Sequence, residues 1–288
     1  MVKHYISLTK PRICLLVLIS TYFGYYLGLR YTGSYMMELN EWIIFFHLII
    51  GTLLSCAGAC TLNQAIEHDS DSKMNRTSNR SIPKGHVSPL KAFIFGFLLS
   101  ALGILYLFIN VNFIVSALSF LTVFSYICIY TPFKKISSIN TLIGAIPGAL
   151  PPVGGWFAVT NEFTSITGVL FAIMFCWQIP HFLSLAYIYA SDYKKGGFIM
   201  LPSLYSNQVQ TRVYVVFFTL LLIIITFALY FSKIVGTSYL VLNMILSSAF
   251  IYFVYKFVES VNLKTAKQLF FASIIYLPIL LILIIISS

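Results

Sequence analysis

Charge is what this chain has least of. Only 9% of its 288 residues are Asp, Glu, Lys or Arg, against roughly a quarter in an ordinary soluble domain. A chain so poor in charge cannot clothe a water-facing surface, which excludes a soluble globular enzyme. It is equally far from the weakly hydrophobic composition of a disordered segment. Cysteine is sparse as well: Cys14, Cys56, Cys60, Cys128 and Cys176 all lie inside apolar stretches, with no CxxC pair and no Cys/His ligand spacing. That excludes a disulfide-stapled secreted domain and leaves the cysteines as small core residues without a redox role. No Gly/Ser linker or compositional break divides the chain, so residues 1–288 read as a single domain.

Apolar residues make up 59% of the sequence, with 26 Phe and 19 Tyr, and the mean hydropathy is +0.90. A bilayer core needs about 20 apolar residues per helix. Such windows occur near 13–32, 42–66, 91–110, 112–131, 139–159, 165–190, 212–232, 235–256 and 267–286. The composition therefore predicts an all-α polytopic membrane protein of about nine transmembrane helices around one central cavity. Lys-Pro-Arg at 10–12 precedes the first window and no small-residue cleavage site follows, so that window reads as a span and not a removable signal.

Formal charge is +10, and all but two of the eighteen Lys and Arg fall on one side when the loops are assigned alternately. Arg30 and Lys233 are the two on the other side. By the positive-inside rule the N-terminus is cytoplasmic and the C-terminus outside, in a prokaryotic cell membrane. Basic residues in short loops between apolar runs suit anionic lipid or an anionic substrate, not nucleic acid. Two cytoplasmic loops, 67–90 and 191–211, are longer than the rest and each carries acid, clustered base and proline.

Of the eight acids, Glu67, Asp69 and Asp71 fall within five positions. Asn63, Glu67 and Asp71 are spaced by four, so they drift about 40° per step and line one helical face over about 12 Å. An amide and two carboxylates stacked this way make an oxygen-ligand site suited to Mg²⁺, which takes carboxylates, waters and substrate phosphates. Carboxylates near a bilayer mark functional sites by default. Lys73, Arg76, Arg80 and Lys84 in the same loop are what a metal-bound diphosphate needs for its remaining oxygens.

The run from Asn63 through Asp71 and Met74 to Arg76-Thr77 resembles the first acidic motif of UbiA-type intramembrane prenyltransferases, and within them the heme O synthase (protoheme IX farnesyltransferase) branch. Leu8-Thr9-Lys10-Pro11-Arg12, Tyr130-Thr131-Pro132-Phe133-Lys134-Lys135, the Gly/Pro-rich stretch 144–156, Trp177-Gln178-Ile179-Pro180-His181-Phe182, Asp192-Tyr193 and Met200-Leu201-Pro202 resemble the same branch, in order, over about residues 5–205. Two positions depart from it. Glu67 stands where the family has Asp, and Asp192 lacks the second carboxylate, four positions away, that quinone-type members carry.

The resemblance implies farnesyl transfer from farnesyl diphosphate to a vinyl carbon of heme B, giving heme O, with heme B a substrate and Mg²⁺ the cofactor. It implies that Asn63, Glu67, Asp71 and Asp192 hold the metal. Arg76, Arg80, Tyr130, Lys134 and Lys135 would take the diphosphate, and His181 would contact the porphyrin. Heme-biosynthesis or terminal-oxidase assembly proteins would be its partners. The prolines of the fifth span would open room for a bulky substrate, because irregular backbone in a membrane is tolerated only against protein or a cavity. A transporter for an anionic metabolite is the rival from another class; it would place the acids near midmembrane. A quinone or chlorin prenyltransferase is the rival within the class.

Overall fold

The computed structural model describes residues 1–34, 38–204, 207–231 and 235–287; Lys233 lies outside the described residues. Those residues form helices and no strands. In chain order they are α1 (Val2–Leu8), α2 (Pro11–Thr32), α3 (Leu39–Ile66), α4 (His68–Lys73), α5 (Pro89–Asn110) and α6 (Phe113–Phe124). From α6 the chain runs through a π-helical turn, Ser125–Tyr130, into α7 (Thr131–Phe133). Then come α8 (Asn140–Thr160), α9 (Ser165–Ile188), α10 (Ala190–Lys195), α11 (Leu201–Leu204), α12 (Val209–Phe231), α13 (Thr237–Glu259) and α14 (Leu263–Ser287). Among the described residues nine spans are long and apolar enough to cross a bilayer, α6 and α7 counting as one, Phe113–Phe133. Each overlaps one of the nine windows read from hydropathy.

Local chemistry fixes where the spans begin. Ser88 accepts a hydrogen bond from Lys91 N ahead of Pro89, and Asn112 Oδ1 accepts from Val115 N at 2.8 Å. These are side-chain caps on donors that a helix start leaves unpaired. A capping box of Thr164 and Thr167 opens α9. Large apolar side chains such as Leu15, Phe97, Ile224 and Ile245 are exposed, as a lipid-facing surface requires.

Lipid tails are as apolar as leucine, so helix association depends on close packing and not on the hydrophobic effect. Small residues supply it at the α3–α5 crossing, where Gly51, Ser55 and Gly58 face Gly103, Ser100 and Gly96. A Cβ on Gly103 would overlap Ser55 N, and one on Gly58 would lie 2.5 Å from Ser100 N. The α2–α8 crossing is as tight: a Cβ on Gly24 would overlap Pro152 O, and one on Gly155 would overlap Thr21 O. Here the structure departs from the expectation of open space. α8 is a continuous helix through Pro147, Pro151 and Pro152, and its small-residue surface is covered by α2 at Pro152 and Gly155, by Tyr130 at Gly144 and by Gln178 at Gly148. Tyr26 on α2 donates to Ile285 O on α14 at 3.4 Å, so the first and last spans meet and the bundle closes.

The short helices α1, α4, α10 and α11 gather at one end. Leu8, Ala65, Ile82, Val87 and Ala92 form one small core there, and Met74, Ala186, Phe198 and Met200 form another. They fasten the 74–87 loop and the 196–200 segment over the helix ends.

Candidate active site

The polar groups of the bundle converge at that end. α3 stops at Ile66, and Glu67 takes φ −92°, ψ 10° before α4 begins, yet Glu67 N still donates to Asn63 O and Asp71 N to Glu67 O. The helical turn survives the break, so Asn63, Glu67 and Asp71 keep one face. All three are buried, with Asp71 only 1% exposed. Asp69, on the opposite face, has a side chain 80% exposed.

Each buried oxygen ligand is matched by a cation or a donor. Lys134 Nζ donates to Glu67 Oε1 at 2.7 Å, and Arg80 Nη1 to Asp71 Oδ2 at 2.5 Å. Lys10 Nζ donates to Asn63 Oδ1 at 3.3 Å, while Asn63 Nδ2 donates to Thr131 Oγ1 at 3.2 Å. Burial pushes the Lys10 ammonium below the ordinary lysine pKa. Lys10 also has a left-handed backbone, φ 48°, a conformation that a residue with a Cβ adopts only where its surroundings impose it.

Tyr126 and Tyr130 stack at 5.6 Å through the π-helical turn. Pro132 has no N–H, so the backbone just before it lacks a donor for regular α-helical bonding. Such π turns are frequent at functional sites. The turn aims Tyr130 at the Lys134 ammonium, 4.6 Å from the ring centroid. Phe198 approaches the same ammonium at 5.6 Å, held by Ile199 N on Lys134 O and by Asn140 Nδ2 on Ile199 O. The Arg76 guanidinium lies over Tyr189 and Tyr193 at 5.2 and 5.7 Å. Burial raises the Tyr193 hydroxyl pKa above its usual value, so it stays a neutral donor at physiological pH.

Asn63, Glu67, Asp71, Arg76, Arg80, Tyr130 and Lys134 all line one cavity of about 160 Å³, together with Lys10, Tyr126, Tyr193 and Phe198. That volume suits a polar head group, not a whole isoprenoid. A larger hollow of about 430 Å³ between α13 and α14 is apolar-walled and lacks any acid.

Three residues expected at the site are not among the cavity-lining residues. Asp192 is buried, but its carboxylate accepts from Arg76 N at 3.1 Å; it holds the two loops together. Lys135 is exposed while its neighbour Lys134 turns inward. His181 stacks between Trp177 and Phe270, with its Nδ1 2.9 Å from Ser273 Oγ. Lys10, Tyr126, Tyr193 and Phe198 line the cavity without having been expected there; for Lys10 and Tyr193 the signal was their place in the 8–12 and 192–193 motifs.

Two carboxylates and an amide are hard oxygen donors of the kind Mg²⁺ takes. The lining cations Lys10, Arg76, Arg80 and Lys134 exceed the lining carboxylates, leaving positive charge for an anion carried with the metal. The donor set therefore fits a magnesium–diphosphate complex.

Residues 17–275 match the UbiA prenyltransferase family. The chain belongs to that family. This UbiA-family chain is 36% identical over 280 residues to a protoheme IX farnesyltransferase of Solibacter usitatus, covering 96% of each protein. Its fold matches a solved structure of digeranylgeranylglyceryl phosphate synthase with a TM-score of 0.81 at 20% identity, covering 99% of this chain and 98% of the other. It also matches a UbiA homologue from Archaeoglobus fulgidus bound to GPP and Mg²⁺, with a TM-score of 0.64 at 16% identity over 98% of this chain and 99% of the other. The chain is thus an integral-membrane prenyltransferase.

Proposed function

We propose that this enzyme transfers the farnesyl group of farnesyl diphosphate to a vinyl group of heme B, giving heme O, at a cytoplasmic-rim site that binds the diphosphate. The supporting observation is the buried stack of Asn63, Glu67 and Asp71 in one cavity with four cations. The chemistry of the Solibacter relative's name and the GPP and Mg²⁺ held by the Archaeoglobus homologue agree with it. A transporter would put its acids at midmembrane; here Glu67, Asp71 and Asp192 all stand at or beyond helix ends.

Asn63, Glu67 and Asp71 would hold Mg²⁺, which when bound supplies charge neutralisation to the diphosphate. Lys134 and Arg80 now pair with Glu67 and Asp71. With the diphosphate in place they turn to phosphate oxygens, as charge-assisted donors. The allylic C–O bond breaks, its electron pair leaves with the diphosphate, and Lys10, Arg76, Arg80 and Lys134 stabilise that developing charge. The vinyl π electrons of the porphyrin form the new C–C bond to farnesyl C1, which leaves a carbocation on the vinyl carbon next to the ring; water adds there, keeps the hydroxyl and gives up its other proton to solvent. Tyr126 and Tyr130 present ring faces beside the reacting end, where positive charge on the allyl group is attracted to the aromatic quadrupole. Asp192 positions Arg76 through its backbone N–H, and Lys135 and His181 serve the acceptor side or the fold.

Membranes containing the protein, incubated with heme B, farnesyl diphosphate and Mg²⁺, should yield a heme heavier by one farnesyl group and one hydroxyl in mass spectrometry. Absence of that product, with farnesylation of an added quinone instead, would overturn the acceptor assignment.

A further inference from the structure

The cysteines, read from sequence as unrelated core residues, prove to be clustered. Cys56 and Cys60 lie one turn apart on α3, and Cys14 reaches them from α2; the three sulfurs lie within 4.8 Å of one another. Cys14 and Cys60 are buried at 1% and 4% exposure. The third ligand comes from another helix, so no sequence spacing announced the group. We propose that Cys14, Cys56 and Cys60 form a three-sulfur site for a soft monovalent metal ion, Cu(I), that ties α2 to α3 beneath the cavity.

Ligand chemistry selects the ion class. Thiolates favour Cu(I), zinc and iron–sulfur centres, and structural zinc almost always takes four ligands. Among the described residues the group contains no histidine or carboxylate to serve as a fourth. Three sulfurs around one ion at bonds of about 2.3 Å stand about 4.0 Å apart, so rotations of the cysteine side chains close the observed spacing. Cys14 Sγ now donates to Thr9 O at 3.1 Å, a thiol bond that metal binding would replace. Binding converts three thiols to thiolates and releases their protons, as metal–thiolate sites do. Lys10 and Arg80 lie close enough to act electrostatically on Cys60, which offsets the negative charge such a site would otherwise bury.

The ion would lie one helical turn from both Lys10 and Asn63. Lys10 is joined by a single turn to Cys14, and Cys60 by a single turn to Asn63. A metal at this point fixes the relative height of the two helices that hold the Lys10–Asn63 hydrogen bond. It needs no place in prenyl transfer, so its test is independent of the proposed reaction.

The full-length protein, purified reduced and without oxygen in detergent, is titrated with Cu(I) against a chromophoric Cu(I) chelator. One Cu(I) per chain should be withdrawn from the chelator. Cys14→Ser and Cys60→Ser should lose that ion, while Cys128→Ser and Cys176→Ser keep it. X-ray absorption of the copper-loaded wild-type chain, which needs no variant to fold, should show three sulfur neighbours. Failure of the wild-type chain to compete, copper retained by Cys14→Ser, or a nitrogen/oxygen coordination shell would each overturn the site. Retention of Zn²⁺ in preference to Cu(I) would overturn the monovalent assignment.

Discussion

The Lys134 ammonium sits 2.7 Å from the Glu67 carboxylate, and both side chains are nearly out of solvent. Removing one member of a buried ion pair leaves an uncompensated charge and costs about 3–5 kcal/mol, whereas replacing both with groups of similar size is often neutral. Lys134→Met should therefore lower the thermal midpoint in detergent clearly, and the double variant Glu67→Gln/Lys134→Met should recover most of it. Turnover should recover in neither, because Lys134 also serves the diphosphate; a double variant with restored activity would confine the pair to folding. Asp71→Asn keeps volume while removing the charge that Mg²⁺ needs. It should cut turnover roughly 100-fold or more, the scale of losing one preorganised electrostatic group, with expression and folding intact. Near-normal turnover in that variant would count against Asp71 as a metal ligand. Spacing alone placed Asn63, Glu67 and Asp71 together, because four-residue steps on a helix are geometry. Choosing Lys134 over Lys135 was not possible that way, since the π-helical turn before them shifts which residue faces inward. The 8–12 motif singled out Lys10 without a role, and its left-handed backbone and its bond to Asn63 are what bring it to the site.

At the scale of helices, hydropathy fixed the nine spans because a bilayer demands length and apolarity and little else. The short helices α1, α4, α10 and α11 carry no such signature; tertiary contacts with the loop cores shape them. Which helices touch was hidden for the same reason, since in lipid the signal is small residues and not amphipathic stripes. The α3–α5 crossing makes this testable. A leucine at Gly103 would drive its Cβ into the α3 backbone at Ser55 N and Gly51 O, and backbone atoms cannot swing aside as a flexible side chain does. Gly103→Leu should destabilise by at least the ~1–3 kcal/mol of an overpacked core, and it should also lower activity, because α3 ends in the acidic motif. On α9, by contrast, a Cβ added to Gly168 would stand in open space. Gly168→Ala should be neutral or stabilise by about 0.5–1 kcal/mol, since Ala loses less freedom on forming a helix. Equal unfolding midpoints for the two variants in detergent would show that the crossing is not where the bundle is held.

For the whole molecule the deciding feature is that both long loops reach one cavity. Arg76 N bonds Asp192 across them, and Met74 from the first packs with Phe198 and Met200 from the second. Two loops that touch must lie on one side of the membrane, which is also where alternation through the spans places them. The contact puts them on a common side, and the charge distribution is the ground for proposing that this side is the cytoplasm. Alternating the loops assigns all Lys and Arg but Arg30 and Lys233 to this end, and Lys/Arg bias near short loops sets orientation during insertion. The same end would then hold a diphosphate made in the cytoplasm. Cysteines placed one at a time at 78 and 204, in a chain lacking the five native cysteines, should both react with an impermeant thiol reagent only in inverted vesicles. Labelling of both from outside intact cells would keep the site but reverse its membrane side. Labelling of one from each side would contradict the contact between the loops, and with it the cavity on which the proposed chemistry stands.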